Sequence, residues 1–263
     1  MAKQRTVLVT GGSRGIGASI AQHFAEQGDR IAVHYSSNSD LAQEVLASLP
    51  GSGHMIAQAD LRDADAIKVM VDSVAKEFGH IDILINNAAA GTHTPPQDTT
   101  LEIWDKVIGT SLTGYFLNAR EFSKLVIAAK KPGAIVNISS IAGSSAIGRG
   151  NFAYSVAKGG VNQMTRELAI EWAKSKIRVN AIQPCSVNTP GWRKWVETEG
   201  EKAKPLMELL VRGIPMGRVA EPEDIAHAVH FLASDAAAMV TGTILPVDGG
   251  NLAYNAGGTL GDY

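Results

Sequence analysis

The stretch 5-RTVLVTGGSRGIG-17 decides the fold of this chain. Its apolar run, Val7–Val9, is typical of a buried strand, and a helical pattern begins at Gly15. Gly11, Gly15 and Gly17 surround the turn between the two. Glycine allows a tight turn and the close approach of a phosphate, and the start of a helix offers unpaired N–H groups. The segment therefore predicts a strand–turn–helix unit that binds the phosphates of a nucleotide.

Strand and helix patterns alternate along the rest of the chain. Strands are predicted at 5–10, 30–35, 54–60, 81–87, 133–139, 177–184 and 242–249, and helices at 15–28, 39–49, 63–79, 99–130, 152–175, 200–212 and 222–234. Two segments, 88–98 and 184–200, are predicted to be irregular. This order predicts an α/β fold, a Rossmann-type doubly wound parallel sheet of seven strands with helices on both faces. With no internal repeat or linker in its 263 residues, the chain is expected to form one domain, 1–263.

The composition narrows the function classes. A net charge of −2 argues against a surface for nucleic acids or anionic membranes. A single cysteine, Cys185, excludes a disulfide framework and a cysteine-based zinc site, and the seven histidines form no ligand pattern, so no metal is expected. Cys185 is interpreted as a small buried side chain rather than a reactive thiol. No run is apolar for long enough to span a membrane, and a cytoplasmic location is expected.

The end of the second strand indicates which dinucleotide binds. An acidic residue there holds the ribose hydroxyls of NAD, whereas this chain has Tyr35, Ser36 and Asn38. Hydroxyl and amide groups accept a 2′-phosphate that a carboxylate repels, and the guanidinium of Arg14 can reach it. The sequence therefore predicts NADP(H) in preference to NAD(H). The alternative for Arg14 is a solvated charge on a loop.

Asp60 follows the third strand, where its carboxylate can accept a hydrogen bond from an adenine amino group. The alternative is a helix cap within "DLRD", 60–63.

A possible catalytic group lies in "YSVAK", 154–158, and "NISS", 137–140. Tyr154 and Lys158 are separated by one helical turn and share a face of the predicted helix. Taken alone, the pair could be an ordinary part of an amphipathic helix. Its meaning depends on the motifs elsewhere in the chain.

Together these motifs resemble those of the short-chain dehydrogenases/reductases, particularly the β-ketoacyl-carrier-protein reductases and related carbonyl reductases. The resemblance covers nearly the whole chain and rests on "TGGSRGIG", "INNAA" (85–89), "NISS", "YSVAK", "IRVNAIQP" (177–184) and the region ending in "TGTILPVDGG" (241–250). It implies an oxidoreductase that transfers a hydride between a nicotinamide and a carbonyl or secondary alcohol.

The resemblance also implies a role for each catalytic side chain. Tyr154 would be the acid for carbonyl reduction and the base for alcohol oxidation. The ammonium of Lys158 would favour the phenolate and so lower the pKa of Tyr154. Ser140 would donate a hydrogen bond to the substrate oxygen, and its neighbour Ser139 would point to the opposite face of the strand.

The cofactor site implied by the resemblance includes many more residues. It comprises Gly11, Ser13, Arg14, Gly15, Ile16, Gly17, Tyr35, Ser36, Asn38, Asp60, Leu61, Asn87, Ala88, Tyr154, Lys158, Pro184, Val187 and Thr189. The alternative for Asn87 and its neighbour Asn86 is a capping or turn pair.

Ser111, in "TSLTGYF", departs from the family pattern, which has a catalytic asparagine at this position. A serine can bend a helix, and a relay through the main-chain carbonyl survives the substitution. Retained but slower activity is expected, with a weakened or repurposed site as the alternative.

The segment 188–217 is expected to form a lid over a small-molecule substrate, with Trp192 as an apolar wall. Helix packing is the alternative for Trp192. The resemblance further implies a homotetramer in which the C-terminal tail, 251–263, could reach a neighbouring subunit. Two other functions stay open: an NAD-linked sugar or polyol dehydrogenase, and a nucleotide-binding sensor without turnover.

Overall fold

The computed structural model describes residues 4–254, so most of the tail for which a contact with a neighbouring subunit is predicted lies outside the described residues. The strands are β1 (Thr6–Val9), β2 (Arg30–Tyr35), β3 (Met55–Gln58), β4 (Ile83–Asn86), β5 (Gly133–Ile138), β6 (Ile177–Pro184) and β7 (Ile244–Val247). They form one sheet in the order β3-β2-β1-β4-β5-β6-β7, and every neighbouring pair is parallel. The predicted seven-stranded, Rossmann-type sheet is confirmed.

Helices cover both faces of this sheet. They are α1 (Gly15–Glu26), α2 (Ser39–Ser48), α3 (Ala64–Phe78), α4 (Leu101–Ile108), α5 (Gly114–Ala129), α6 (Phe152–Glu171), α7 (Pro190–Glu199), α8 (Lys204–Arg212) and α9 (Pro222–Ala233). The core on one face joins α1, α2 and α9 to alternate strand residues such as Val7 and Val9. The core on the other face joins α3, α5 and α6 to the residues between them, such as Leu8. Both faces of the strands are therefore buried, as continuous apolar runs in a parallel sheet require.

The chain direction across the sheet reverses between β1 and β4. The connections from β1 and β4 therefore diverge at their carboxyl ends and leave a crevice, which is where open α/β sheets bind ligands.

The helical patterns predicted at 99–130 form two helices, α4 and α5, with a π-helical turn, Gly109–Thr113, between them. Another predicted segment differs from the structure. The prediction that 184–200 is irregular is wrong for α7, which occupies 190–199. The Thr189 hydroxyl caps α7 by accepting a hydrogen bond from the Trp192 N–H, and Pro190 suits the first helical position because it has no N–H to satisfy.

Candidate active site and dinucleotide cleft

The glycine turn after β1 is shaped by close contacts between main-chain atoms. Gly11 has a φ of +62°, a conformation that other residues adopt rarely. A Cβ on Gly17 would lie 2.2 Å from the Gly11 carbonyl oxygen, so a side chain at 17 would force the turn apart. Because its glycines carry no side chains, the turn leaves its main chain accessible in front of the first turn of α1, as phosphate binding requires.

Two side chains from neighbouring strands hold this turn. The Gly11 N–H donates to Nδ1 of His34 at 2.9 Å, and Nε2 of His34 lies 3.0 Å from the Ala59 carbonyl oxygen. Nδ2 of Asn87 donates to the Thr10 and Gly11 carbonyl oxygens at 2.9 and 3.1 Å. The Asn87 amide therefore hydrogen-bonds the turn and fixes its shape. Asn87 can also border a cofactor bound there.

Burial lowers the pKa of His34 to about 4. The ring is therefore neutral at pH 7, which leaves Nδ1 free to accept from Gly11. His34 is not among the site residues predicted from the sequence. The available signal was an imidazole in an apolar strand one residue before the predicted nucleotide-binding Tyr35.

A cavity of about 680 Å³ opens beside the turn. It brings together ten residues predicted to bind the cofactor, namely Gly11, Ser13, Arg14, Tyr35, Ser36, Asn38, Asp60, Leu61, Asn87 and Ala88. Basic side chains from three separate elements, Arg14, Arg62 and Lys106, also line it. A bare glycine turn, a helix start and positive charge around a cavity of this size fit a phosphorylated nucleotide.

Asp60 and Asn38 have protein partners within this cavity. The carboxylate of Asp60 pairs with the guanidinium of Arg62 at 2.6 Å, and this hydrogen bond lowers the pKa of Asp60. Asp60 does not cap the helix after β3, because Asp63 does so by accepting from the Asp65 and Ala66 N–H groups. Asn38 caps α2 through Oδ1, so its amide hydrogens are what it can offer a ligand.

Ser140, Tyr154 and Lys158 meet where β5 ends and α6 begins. Ser140 lies two residues beyond the end of β5 and is a hydrogen-bond partner of Tyr154. Lys158 is 1% exposed, and its Nζ lies 5.5 Å from the centre of the Tyr154 ring. The three side chains that the sequence pattern singled out are therefore neighbours, with tyrosine and lysine on one face of α6.

The electrostatics of this group differ from the prediction. Burial raises the pKa of Tyr154 above its ordinary value of 10.0, and the Ser140 hydrogen bond only opposes that rise. Burial also lowers the pKa of Lys158 to about 7. The predicted lowering of the Tyr154 pKa by an ammonium is thus wrong for this structure, because desolvation dominates both groups and keeps the lysine only partly charged at pH 7.

Ser139 points away from this group and into the protein. Its hydroxyl donates to Oδ1 of Asn162 at 2.6 Å and lies 3.2 Å from the Lys158 carbonyl oxygen. It ties β5 to the inner face of α6, whereas Ser140 lies beside Tyr154. Adjacent strand residues face opposite ways, and this separates the two serines.

Ser111 lies in the π-helical turn and is fully buried. Its hydroxyl accepts from the Ala90 N–H at 3.0 Å and lies 3.2 Å from the Ala90 carbonyl oxygen, to which it can donate. The side chain therefore fastens the loop after β4 to this turn.

The residues after β6 approach the cleft from the opposite side. Pro184 ends β6 and is buried, and Val187 forms a bridge with Ala220. Thr189 lies beside the glycine turn, because a Cβ on Gly15 would come within 3.5 Å of its methyl group. Ile16 is half-buried and packs against the core on that side.

The tryptophans of α7 face each other, with the ring centres of Trp192 and Trp195 at 5.4 Å. Both are half-buried, and α7 contributes no fully buried side chain to the core. Cys185 is half-buried as well, and burial raises the pKa of its thiol, which disfavours the reactive thiolate.

Among residues 4–254, no helix has the length and apolar character needed to cross a membrane. No group of three or more histidine, cysteine or acidic side chains in the same range is arranged to hold a metal ion.

Comparison with known proteins gives a consistent result. Residues 11–251 match the family described as "Enoyl-(Acyl carrier protein) reductase". The chain is 38% identical to 3beta-hydroxysteroid dehydrogenase 1 of Eggerthella lenta, covering 96% of this chain and 95% of that protein. It is 39% identical to D-threitol dehydrogenase of Mycolicibacterium smegmatis, covering 94% and 92%. The crystal structure of gox2181 superposes with a TM-score of 0.88 at 32% identity, covering 96% of this chain and 97% of that one.

Proposed function

This chain belongs to the short-chain dehydrogenases/reductases, oxidoreductases that act on alcohols and ketones with a nicotinamide cofactor, and we propose that it is NADP(H)-dependent and acts on a ketone, sugar or 3-oxoacyl substrate. The observation that carries the proposal is the contact group of Ser140, Tyr154 and Lys158 at the same edge of the sheet as the glycine cradle. The glycine turn and its cavity, which these three side chains do not line, would hold the nucleotide, and the contact group would carry out the reaction.

The chemistry assigned to the contact group is acid catalysis. The nicotinamide, when bound, supplies or accepts the hydride. Tyr154 gives its phenolic proton to the carbonyl oxygen, and Ser140 donates a hydrogen bond to that same oxygen. Because burial raises the pKa of Tyr154, the phenol is protonated at neutral pH, which suits reduction better than oxidation. As the proton leaves Tyr154, the ammonium form of Lys158 stabilises the negative charge that develops on the phenolic oxygen.

The preference for NADP(H) is supported by charge. Tyr35 and Ser36, at the end of β2, place no carboxylate where a 2′-phosphate would lie. The guanidinium of Arg62 pairs with Asp60, an acid of the cavity lining, and the exposed Arg14 also lines the cavity. A net positive rim favours the cofactor with the additional phosphate.

We place the substrate beneath the segment 188–217, in a single domain, 1–263. α7 and α8 contribute no fully buried side chain, and the buried apolar residues of this segment, Ala203 and Ile214, lie outside the two helices. The paired rings of Trp192 and Trp195 offer an apolar wall for a ring or acyl group.

A second candidate is an NAD-linked polyol dehydrogenase, which the similarity to D-threitol dehydrogenase favours. Titrating the purified protein with NADPH and NADH separates the two. Tighter binding of NADPH, weakened by Arg14→Ala, supports our proposal, and tighter binding of NADH supports the polyol enzyme.

The test of the catalytic assignment is Tyr154→Phe. We expect this variant to lose carbonyl reduction by at least about a hundredfold, because general acid catalysis contributes that much or more, and to bind NADPH as the wild type does. Turnover is followed by NADPH absorbance over a panel of ketones, sugars and 3-oxoacyl thioesters. Full activity in Tyr154→Phe would contradict the assignment, and NADPH binding without turnover of any compound by the wild type would indicate a sensor.

We also propose that the protein is a homotetramer in the cytoplasm. Large apolar side chains remain exposed on α4, α5 and α6, namely Leu101, Phe116, Ile127, Phe152, Val156 and Ile170. Burial between copies of the chain would remove these side chains from water.

A further inference from the structure

Tyr115 is a buried polar side chain to which neither the sequence pattern nor the proposed chemistry gives a role. It is the second residue of α5, has 0% exposure and is among the largest fully buried side chains of the described chain. Its hydroxyl oxygen lies 3.2 Å from Nζ of Lys158 and 3.2 Å from the Ile138 carbonyl oxygen. Nζ of Lys158 lies 2.6 Å from the same carbonyl oxygen. These three groups form a closed triangle beneath the contact group.

The donors in this triangle can be assigned from chemistry. An ammonium donates only, so Lys158 gives one N–H to the Tyr115 oxygen and another to the Ile138 carbonyl. The Tyr115 O–H then donates to the carbonyl, which has two lone pairs. Burial raises the pKa of Tyr115 well above its ordinary value, so the hydroxyl keeps its proton and can fill both roles. Of the three ammonium hydrogens, one remains for a ligand.

The ring of Tyr115 contributes as well. Nζ of Lys158 lies 4.8 Å from the centre of this ring and 5.5 Å from the centre of the Tyr154 ring. The ammonium is therefore bracketed by two tyrosine rings, a favourable environment for a cation shielded from water. Both contacts favour the charged lysine against the burial that otherwise disfavours it.

The neighbouring Ser111 cannot supply these contacts. It lies one helical turn before Tyr115, and its hydroxyl is engaged with the main chain of Ala90. Among the side chains of this helical segment, it is Tyr115 that reaches the lysine.

We propose that Tyr115 is a positioning residue, whose hydroxyl and ring hold the Lys158 ammonium in place beside Tyr154. The catalytic part of this inference rests on the proposed function. The contacts among Tyr115, Lys158 and the Ile138 carbonyl can be tested without measuring turnover. It predicts that Tyr115→Phe leaves the fold intact, since the ring is retained, and makes the charged form of Lys158 less stable.

The first measurement is the titration of Lys158 by NMR in protein labelled with ¹³C at lysine Cε, with the signal assigned through Lys158→Arg. The wild-type lysine is expected to titrate near its pKa of about 7. In Tyr115→Phe the pKa should fall by roughly one unit, because the lost hydrogen bond is made to a charged group. Tyr115→Leu also removes the ring and should lower the pKa of Lys158 further. If one of the two variants does not fold, the other is sufficient for the test.

A matched control is Thr165→Val. Thr165 is fully buried on α6, accepts from Nδ2 of Asn137 and donates to the Val161 carbonyl oxygen. Removing its hydroxyl disturbs the same buried polar layer without touching Lys158. The lysine pKa should stay at the wild-type value in this variant. An unchanged pKa in Tyr115→Phe, or an equal fall in Thr165→Val, overturns the proposal.

The second measurement is the pH profile of carbonyl reduction. Activity that depends on charged Lys158 declines as pH rises through the lysine pKa, so Tyr115→Phe should move this decline to lower pH by the same interval. KM for the substrate should change less than kcat. A uniform loss at every pH would indicate a packing role only. If the wild type turns over no carbonyl compound while the NMR shift is present, the proposed function fails and the positioning by Tyr115 stands.

Discussion

At the scale of single residues, His34 shows how burial sets a chemical state. It is 1% exposed and joins the glycine turn after β1 to the end of β3 through its two ring nitrogens. Its folded pKa of about 4 lies below the ordinary 6.5, so the fold prefers the neutral ring. Stability from this preference is complete above pH 6.5 and is lost as the pH falls towards 4.

The variant His34→Gln removes this titration. Between pH 7.5 and pH 5 the wild type should lose about 2 kcal/mol more of its unfolding free energy than the variant, because each pKa unit corresponds to about 1.4 kcal/mol. Urea unfolding at both pH values measures this difference. The partly buried His23 and His230, whose pKa values burial also lowers, titrate in both proteins and cancel. An equal loss in both proteins would show that His34 is not responsible.

At the scale of elements, α7 and α8 differ from the other long helices. Neither has a fully buried residue, whereas α6 has seven. Elements with few buried contacts open at low free-energy cost. The start of α7 depends instead on the Thr189 cap, beside the glycine turn. The start of α7 is therefore held by a local hydrogen bond more than by the core.

Thr189→Ala should accelerate amide exchange across α7 by roughly fivefold, since a lost N-cap costs about 1 kcal/mol. Hydrogen–deuterium exchange with mass spectrometry reports it peptide by peptide. Thr198→Ala is the matched control, because that hydroxyl bonds the Lys194 carbonyl within the same helix and caps nothing. α6 should be unaffected in both variants, and equal exchange of α7 in the two variants would argue against the cap.

At the scale of the whole molecule, three neighbouring helices carry a group of exposed apolar side chains. The helices α4, α5 and α6 leave large apolar side chains exposed, with Ile170 at 76%. Isolated exposed apolar residues are ordinary, whereas several on adjoining helices favour an interface. The proposed tetramer would use this side.

Ile170→Glu should therefore reduce the proposed tetramer to smaller species, because a carboxylate would be buried without a partner. Light scattering coupled to size-exclusion chromatography gives the mass directly. Val69→Glu, on α3 at 68% exposure, is a control with the same chemistry on a helix other than α4, α5 and α6, and it should keep the wild-type mass. A monomeric wild type would contradict the assembly itself.

Much of the fold followed from local patterns. Apolar runs located all seven strands to within about two residues, and turn glycines located the cradle, because side-chain periodicity and backbone freedom are properties of short segments. The spacing of Tyr154 and Lys158 placed both on one helix face for the same reason. The prediction that 184–200 is irregular failed because it followed the polar composition of the segment and not the helix-start signals at Thr189 and Pro190.

The sequence by itself determined the order of elements, the glycine turn and the shared helix face of Tyr154 and Lys158. The tertiary structure alone decided their chemical state: Gly11 meets His34 across 23 residues, Ala90 meets Ser111 across 21, and Lys158 meets Tyr115 across 43. Such contacts leave no periodic trace in the chain. Desolvation depends on what the whole fold packs around a group, so the direction of each pKa shift follows from tertiary packing and not from the neighbouring residues in sequence.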